Sequence, residues 1–219
     1  MNQMQNKLSR EIAERPPDYL GPNLNPRGLV LTPVPLGKGV HALMANQLPK
    51  DNNGVIIGDK CALVVDAGIN GAISRHIQDL VRQLTDKPTR YLVNTTYHGD
   101  HTFGNYAFPE SVTIVSSWQN RESMHDLDYE KRMRFGNLRE DGESIADVTT
   151  WRRPDLVFDR YCAIDLGNRL VELWQRGTRQ CSGRYPGLCS RCQSGLDRQF
   201  PHECRCPSDA PGRRSWSIH

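Results

Sequence analysis

Apolar and polar positions between residues 29 and 175 are grouped as in an α/β fold. The continuous apolar run over residues 61–65 predicts a strand that is covered on both faces. Apolar side chains then recur at helical spacing over residues 72–84, and residues 91–93 predict the next strand. The order strand, helix, strand indicates a βαβ unit.

Shorter apolar groups predict further elements on both sides of this unit. Asp66, directly after the strand 61–65, is predicted to cap the N-terminus of the following helix rather than to bind metal. A turn is predicted over 51–54, a charged helix over 119–133 and a polar loop covering a site over 134–150. The remaining predicted strands span residues 34–43, 54–57, 112–116, 156–158 and 170–173.

The candidate chemistry follows the strand 91–93 directly. His98, Asp100 and His101 lie within four residues of each other. Sites in parallel sheets form at the carboxyl ends of strands, which is where this group falls. Two imidazoles and a carboxylate are ligands that zinc accepts, so the three residues are candidate metal ligands. The alternative is a polar turn whose histidines only cap backbone groups.

The segment Thr96-Tyr97-His98-Gly99-Asp100-His101 resembles the metal-binding motif of the metallo-β-lactamase fold, His-x-His-x-Asp-His. The first histidine of that motif is replaced by Thr96. The resemblance covers roughly residues 33–175, and its most specific parts are Val64–Gly68 and Asn94–Asn105. It implies an αββα sandwich, of which this chain holds the N-terminal half only.

The resemblance also implies a cofactor and roles for the ligands. Family members hold one or two divalent ions, usually zinc. Their first two histidines belong to one metal site, and the Asp-His pair belongs to the other. By this correspondence His98 is left in an incomplete first site, while Asp100 and His101 can serve the second. Asp100 is also the candidate catalytic residue that orients the attacking water, and we expect at most one weakly bound ion.

Composition shows that the chain is not uniform. The hydrophobic fraction is 37% and the mean hydropathy is −0.63, which is low for one compact domain of 219 residues. The net charge of +3 indicates no particular partner. Residues 1–17 are polar and resemble no signal peptide, and no apolar run is long enough for a membrane span. A cytoplasmic protein without a membrane partner is therefore expected.

The last 44 residues differ from the rest of the chain. Residues 176–219 contain eight arginines, five of the seven cysteines and only three aliphatic Leu or Ile side chains. They fit a disordered basic tail, or a zinc knuckle that uses Cys189, Cys192, Cys204 and Cys206. A third interpretation is translation out of frame. If the coding DNA for residues 176–200 is read in a frame shifted by one base, codon degeneracy permits a different amino-acid string. That string contains a Gly-rich turn, a Leu-Val-Tyr-Val strand and a Pro-Asp turn. We favour this interpretation because that string continues the pattern of a folded sequence.

The predicted organisation is a polar arm (1–32), a metallo-β-lactamase-like half-domain (33–175) and a Cys- and Arg-rich irregular tail (176–219). The predicted function is metal-dependent hydrolysis of a small molecule, namely a lactam, lactone, thioester or other ester, impaired in this chain. The alternative is a non-catalytic pseudoenzyme or a zinc-knuckle binding protein. Scattered aromatic residues in the basic tail do not favour a nucleic-acid partner. The sequence leaves the substrate, the retention of activity and the oligomeric state open.

Overall fold

The computed structural model describes residues 21–175. The predictions for the tail, including the zinc knuckle and the shifted frame, concern residues outside this range. Within it the chain forms nine strands and four α-helices. In chain order these are β1 (Leu31–Gly37), β2 (Val40–Ala45), β3 (Asn53–Ile57), β4 (Ala62–Val65), α1 (Gly71–Leu84), β5 (Thr89–Val93), α2 (Gly99–Thr102), β6 (Thr113–Ser117), α3 (Trp118–Ser123), α4 (Leu127–Phe135), β7 (Leu156–Phe158), β8 (Tyr161–Asp165) and β9 (Leu170–Trp174).

Seven strands form one mixed sheet in the sequential order β1 to β7. The first four strands pair antiparallel, and β4, β5, β6 and β7 pair parallel. The remaining strands, β8 and β9, form a separate antiparallel hairpin. The α/β class predicted from the sequence is therefore confirmed. The parallel part contains the predicted βαβ unit, with α1 as its crossover helix.

Alternating side chains of the central strands build a core on each face of the sheet. Val64 and Leu92 point to the same core as α1, whereas Leu63 and Val93 point to the core covered by the β8–β9 hairpin. Two buried faces explain why the strand at residues 61–65 reads as an uninterrupted apolar run. The sheet is thus fixed from both sides close to the ends of β4 and β5.

Helix α1 begins where a side chain satisfies its free backbone groups. Asn70 accepts a hydrogen bond from the Ile73 backbone N–H at 2.9 Å, and it donates its amide to the Ser144 carbonyl at 2.7 Å. The prediction that Asp66 caps this helix is therefore wrong. Asp66 lies four residues upstream of the cap and is turned instead toward the ligand turn, residues 96–101.

Four other expectations from the sequence change with the tertiary structure. The single strand predicted at 34–43 belongs to two strands, β1 and β2, which form a hairpin around Lys38 and Gly39. The turn predicted at 51–54 ends in strand, because β3 starts at Asn53. The helix predicted at 119–133 is split into α3 and α4, since Asp126 caps a new helix by accepting from the Tyr129 N–H at 2.8 Å. Strand β8 lies in a segment for which no strand was predicted.

The segment before β1 is packed onto the rest of the domain. Leu24 is buried in the α1-side core together with Leu31, the first residue of β1, and the Leu24 N–H donates to the Asn137 carbonyl at 2.8 Å. The start of the half-domain at residue 33 stays a prediction. The core residues Leu24 and Leu31 both precede it in the chain. Over residues 21–175 no helix has the length and apolar character that a membrane crossing requires.

Candidate metal centre

The candidate site lies at the carboxyl edge of β4 and β5. These parallel strands end in register, with Val65 opposite Val93. Asp66 follows the first strand, and helix α2 follows the second after a short turn. Because parallel strands end at the same edge, Asp66 and the α2 side chains meet there although 34 or more positions separate them.

Three side chains converge there with ligand atoms within 4.8 Å of one another: Asp51, Asp100 and His101. His101 Nε2 lies 3.4 Å from Asp100 Oδ2 and 3.9 Å from Asp51 Oδ1. The His101 and Asp100 side chains are 11% and 10% exposed, whereas Asp51 is 35% exposed. The group is therefore closed by the protein on most sides and reachable from solvent beside Asp51.

Asp51 reaches the group through the antiparallel pairing of β3 with β4. Gly54 pairs with Val65, so the start of β3 lies beside the end of β4. Residues just before β3 therefore arrive at the edge that carries Asp66. Asn53 strengthens this junction by donating its side-chain amide to the Asp66 carbonyl at 3.0 Å.

Asp66 orients His101 instead of capping a helix. His101 Nδ1 lies 2.9 Å from Asp66 Oδ2, so the ring donates its Nδ1 proton to this carboxylate. Nε2 is then directed at Asp51 and Asp100. A histidine ligand commonly has its second nitrogen fixed by a carboxylate in this way, which holds the ring and raises its basicity.

Asp66 is itself held rigidly. The Thr95 N–H donates to its Oδ1 at 2.8 Å, and the Thr95 hydroxyl donates to its Oδ2 at 2.7 Å. Its backbone has a φ of 60°, in the left-handed region where Asp and Asn are the best tolerated non-glycine residues. This conformation breaks the strand direction after Val65 and points the carboxylate at the ligand turn.

The charges of the group depend strongly on one another. Burial alone would lower the pKa of His101, but the carboxylates of Asp66 and Asp100 outweigh it and raise that pKa to about 10. Burial would raise the pKa of Asp100, yet the positive charges of His101 and Arg134 hold it well below its ordinary value. Burial together with the charge of Asp100 raises the pKa of Asp51 to about 7. In the metal-free protein the group thus resembles an ion-pair cluster centred on a charged imidazole.

His98, the third ligand candidate from the sequence, is outside the group formed by Asp51, Asp100 and His101. It caps the start of α2 with its backbone, while its ring contacts the Tyr97 ring at a centroid distance of 4.5 Å. Burial and then the positive charge of Arg134 lower the pKa of His98 to about 3. Thr96, which stands where the motif has its first histidine, is fully buried.

A buried ion pair supports the ligand turn from helix α4. Arg134 Nε lies 2.9 Å from Glu130 Oε1, and Arg134 Nη1 lies 3.8 Å from Asp100 Oδ1. Glu130 Oε1 also accepts a hydrogen bond from the Gly99 N–H at 2.9 Å, at the first residue of α2. The sequence predicted a loop from Arg134 onward, but Arg134 occupies the last turn of α4.

The comparison with protein families gives the decisive finding. The model of the metallo-beta-lactamase superfamily matches residues 50–171, more than half of the chain. The chain belongs to the metallo-beta-lactamase superfamily. The resemblance drawn from the ligand turn is confirmed, and membership supports a metal-dependent hydrolase.

Two solved structures are similar to this chain over part of their own length. Native FEZ-1 metallo-beta-lactamase from Legionella gormanii is 16% identical with a TM-score of 0.50, over 71% of this chain and 55% of that one. A metallo-beta-lactamase from Pontibacter korlensis is 15% identical with a TM-score of 0.46, over 66% of this chain and 60% of that one. At such identities the FEZ-1 match shows the fold alone. The chain spans somewhat more than half the length of these two metallo-beta-lactamases.

The described residues fit one divalent ion. Ligand atoms about 2 Å from a tetrahedral ion stand about 3.4 Å apart, close to the 3.4 and 3.9 Å separations from His101 Nε2. Asp100 Oδ1 is buried and accepts no hydrogen bond from any residue of the described range. One imidazole and two carboxylates are also a donor set that binds borderline divalent metals. Protonated His101 must lose its Nε2 proton to act as a ligand.

Sequence reasoning missed Asp51, Glu130 and Arg134. The available signal for Asp51 was its position just before β3. This strand pairs antiparallel with β4, which ends directly before Asp66. Glu130 and Arg134 stand at i, i+4 spacing, which marks a helical ion pair but not its partner Asp100. Each of these contacts depends on which elements become neighbours.

Proposed function

We propose that this chain is a metal-dependent hydrolase of the metallo-beta-lactamase superfamily whose metal ligands are Asp51, Asp100 and His101. The observation that carries the proposal is the convergence of these three side chains at the edge of the sheet, with Asp66 orienting His101. Zinc is the proposed ion, since imidazole and carboxylate oxygen are ligands it accepts. A bound divalent ion supplies Lewis-acid chemistry, acidifying water and polarising a substrate carbonyl or phosphoryl oxygen.

The residues around the ion would divide the remaining work. Asp66 keeps one His101 proton on Nδ1, so that Nε2 is the nitrogen that would bind metal once its own proton is lost. Asp100 is held between His101 and Arg134 and is the proposed group that orients water. Asp51 borders the solvent-exposed side, where a small-molecule substrate would enter. A lactam, lactone, thioester or other ester is the proposed substrate class, because each presents a polarisable carbonyl.

We further propose that turnover is impaired in this chain. Thr96 replaces one imidazole of the motif, and His98 is outside the group of converging ligand atoms. A catalytic zinc usually has three protein ligands and an open position, and this centre offers three ligands of which two are carboxylates. The out-of-frame interpretation of residues 176–219 is part of the same proposal, and the coding DNA around Gln175 decides it.

The test compares the metal-stripped 219-residue chain with its Asp51→Asn and His101→Ala variants. Zinc and manganese are titrated against a chelating dye, and hydrolysis of a lactam, a lactone and a thioester is then assayed. We expect the parent chain to bind one ion and His101→Ala to bind none. Asp51→Asn should bind the ion at least about tenfold more weakly, because even residues that only hydrogen-bond to metal ligands change metal affinity by about tenfold or more.

Asp147→Asn is the matched control, because the Asp147 carboxylate accepts hydrogen bonds from the Gly71 N–H and the Tyr106 hydroxyl and none from a proposed ligand. It should bind metal like the parent chain. Equal affinity in the parent chain and in Asp51→Asn would remove Asp51 from the site. Rapid zinc-dependent hydrolysis by the parent chain would refute the impairment and retain the hydrolase.

A further inference from the structure

Arg134 is the only Arg or Lys side chain of the described residues that forms an ion pair with a proposed metal ligand. Its guanidinium lies 3.8 Å from Asp100 Oδ1, the oxygen of this carboxylate that accepts no hydrogen bond from the described residues. The Arg134 side chain is only 15% exposed, so water screens this charge weakly. A positive charge at this distance opposes the arrival of a divalent ion at the same carboxylate.

Glu130 fixes the position of that charge. Its carboxylate is 3% exposed, pairs with Arg134 Nε, and accepts the N–H of Gly99 at the start of the ligand turn. Arg134 is therefore shared between Glu130 and Asp100.

We propose that Arg134 is a built-in cation of the centre, which holds Asp100 when no metal is present and weakens metal binding by sharing this carboxylate. Arg134 is thus a positioning residue that sets metal affinity, and Glu130 modulates it by neutralising part of its charge. The inference rests on the proposed ligand set Asp51, Asp100 and His101. It concerns affinity and is separate from turnover.

The two partners of the ion pair give opposite expectations. Arg134→Gln removes the competing charge, so zinc should bind the 219-residue chain at least about tenfold more tightly, while the metal-free protein melts at a lower temperature. Glu130→Gln keeps an acceptor for the Gly99 N–H but frees Arg134 to pair fully with Asp100. Zinc should then bind about tenfold more weakly. Chelator competition measures affinity, and thermal unfolding monitored by circular dichroism measures stability.

Arg152→Gln is the control for loss of a partly buried structural arginine. Arg152 pairs with Asp155 and donates to the Phe108, Pro109 and Val112 carbonyls, with no contact to the ligands. Its variant should lose stability and leave zinc affinity within about threefold of the parent. Arg134→Lys keeps the charge and should also bind zinc within about threefold.

The sign of the affinity change decides the inference. A purely structural Arg134 would make Arg134→Gln bind zinc more weakly or equally, and either result overturns the proposal. If Arg134→Gln does not fold, weaker binding by folded Glu130→Gln supports the proposal and unchanged binding refutes it. Zinc binding by Arg134→Gln alone, with none by the parent, would confirm strong competition. No binding by any folded variant would refute the ligand set and this inference together, whereas normal parent binding with unchanged Arg134→Gln affinity would refute only the inference.

Discussion

Two histidines three positions apart acquire opposite properties in this protein. His98 is buried near the positive charge of Arg134, and its pKa falls to about 3. His101 is also buried, but the carboxylates of Asp66 and Asp100 raise its pKa to about 10. The two residues share one type and stand on one short segment, so the neighbouring charges decide their opposite protonation states. The position of the ring, not its pKa, places only His101 in the ligand group.

Asp66→Asn tests the orientation of His101. Asparagine tolerates the left-handed backbone of this position and keeps an acceptor for Thr95. Its amide can donate to His101 Nδ1, which would place the ring proton on Nε2 and block the ligand atom. Zinc affinity, measured by chelator competition, should fall about 10- to 100-fold. Unchanged affinity, with the fold intact by circular dichroism, would show that His101 needs no carboxylate behind it.

At the scale of elements, the ends of strands and turns bring the site together. The β3–β4 pairing delivers Asp51, the parallel β4–β5 pairing aligns Asp66 with α2, and α4 delivers Arg134. The hairpin of β8 and β9 closes the second face through Leu166, which is fully buried. Close approaches between these elements should therefore tolerate little additional volume.

Gly58→Ala tests the contact between the main sheet and the β8–β9 hairpin. A Cβ at Gly58 would lie 2.3 Å from the Leu166 carbonyl oxygen, so the hairpin must shift. We expect a loss of about 1–3 kcal/mol in the free energy of unfolding, measured by urea denaturation. Gly37→Ala is the matched control, because a Cβ there meets nothing within 4 Å. Its stability should stay within about 0.5 kcal/mol of the parent, and equal losses in both variants would contradict this packing.

Tyr106 links the turn after α2 to the N-terminus of α1. Its hydroxyl donates to Asp147 Oδ2 at 2.6 Å, and the same oxygen accepts the Gly71 N–H at 3.1 Å. Partial burial, the hydrogen bond to Asp147 and its charge raise the Tyr106 pKa to about 12. The folded state thus favours the neutral phenol. Its contribution to stability is complete below the unfolded pKa of about 10 and is lost as pH rises through about 12.

The Tyr106→Phe variant provides the measurement. Below pH 10 it should unfold with about 1 kcal/mol less free energy than the parent, the value of a typical hydrogen bond. This difference should shrink between about pH 10 and 12. Absorbance at 295 nm should also show no tyrosinate from Tyr106 at pH 10.5 in the folded parent. Full titration of Tyr106 at that pH would contradict the raised pKa.

At the scale of the whole molecule, all proposed ligands lie between residues 51 and 101, whereas the cysteine-rich segment lies outside the described range. The alternative zinc knuckle would bind metal through the tail instead. Changing both Cys189 and Cys192 to serine in the full chain should leave the tight zinc site intact, and His101→Ala should abolish it. Chelator competition with both variants distinguishes the two sites, and the reverse pattern would favour the knuckle.

Local patterns in the sequence determined much of the framework. The apolar run before Asp66, the helical repeat of α1 and the polar turn after β5 are encoded by neighbouring residues, so strand, helix and ligand turn were predictable. The pair Asp100 and His101 was also visible, because both stand on one short turn. These predictions depend on contacts over a few positions, which the periodicity of side chains records.

Only the tertiary structure decided which side chains complete the centre. Asp51 is 49 positions from Asp100 and joins it because β3 runs antiparallel to β4. Asp66 turns from a predicted helix cap into the partner of His101 because β4 and β5 end at one edge. Arg134 meets Asp100 because α4 packs on the ligand turn. The sequence shows each residue type, but strand pairing and helix packing decide which distant charged residues are buried together. Those neighbouring charges in turn determine the protonation of the ligands.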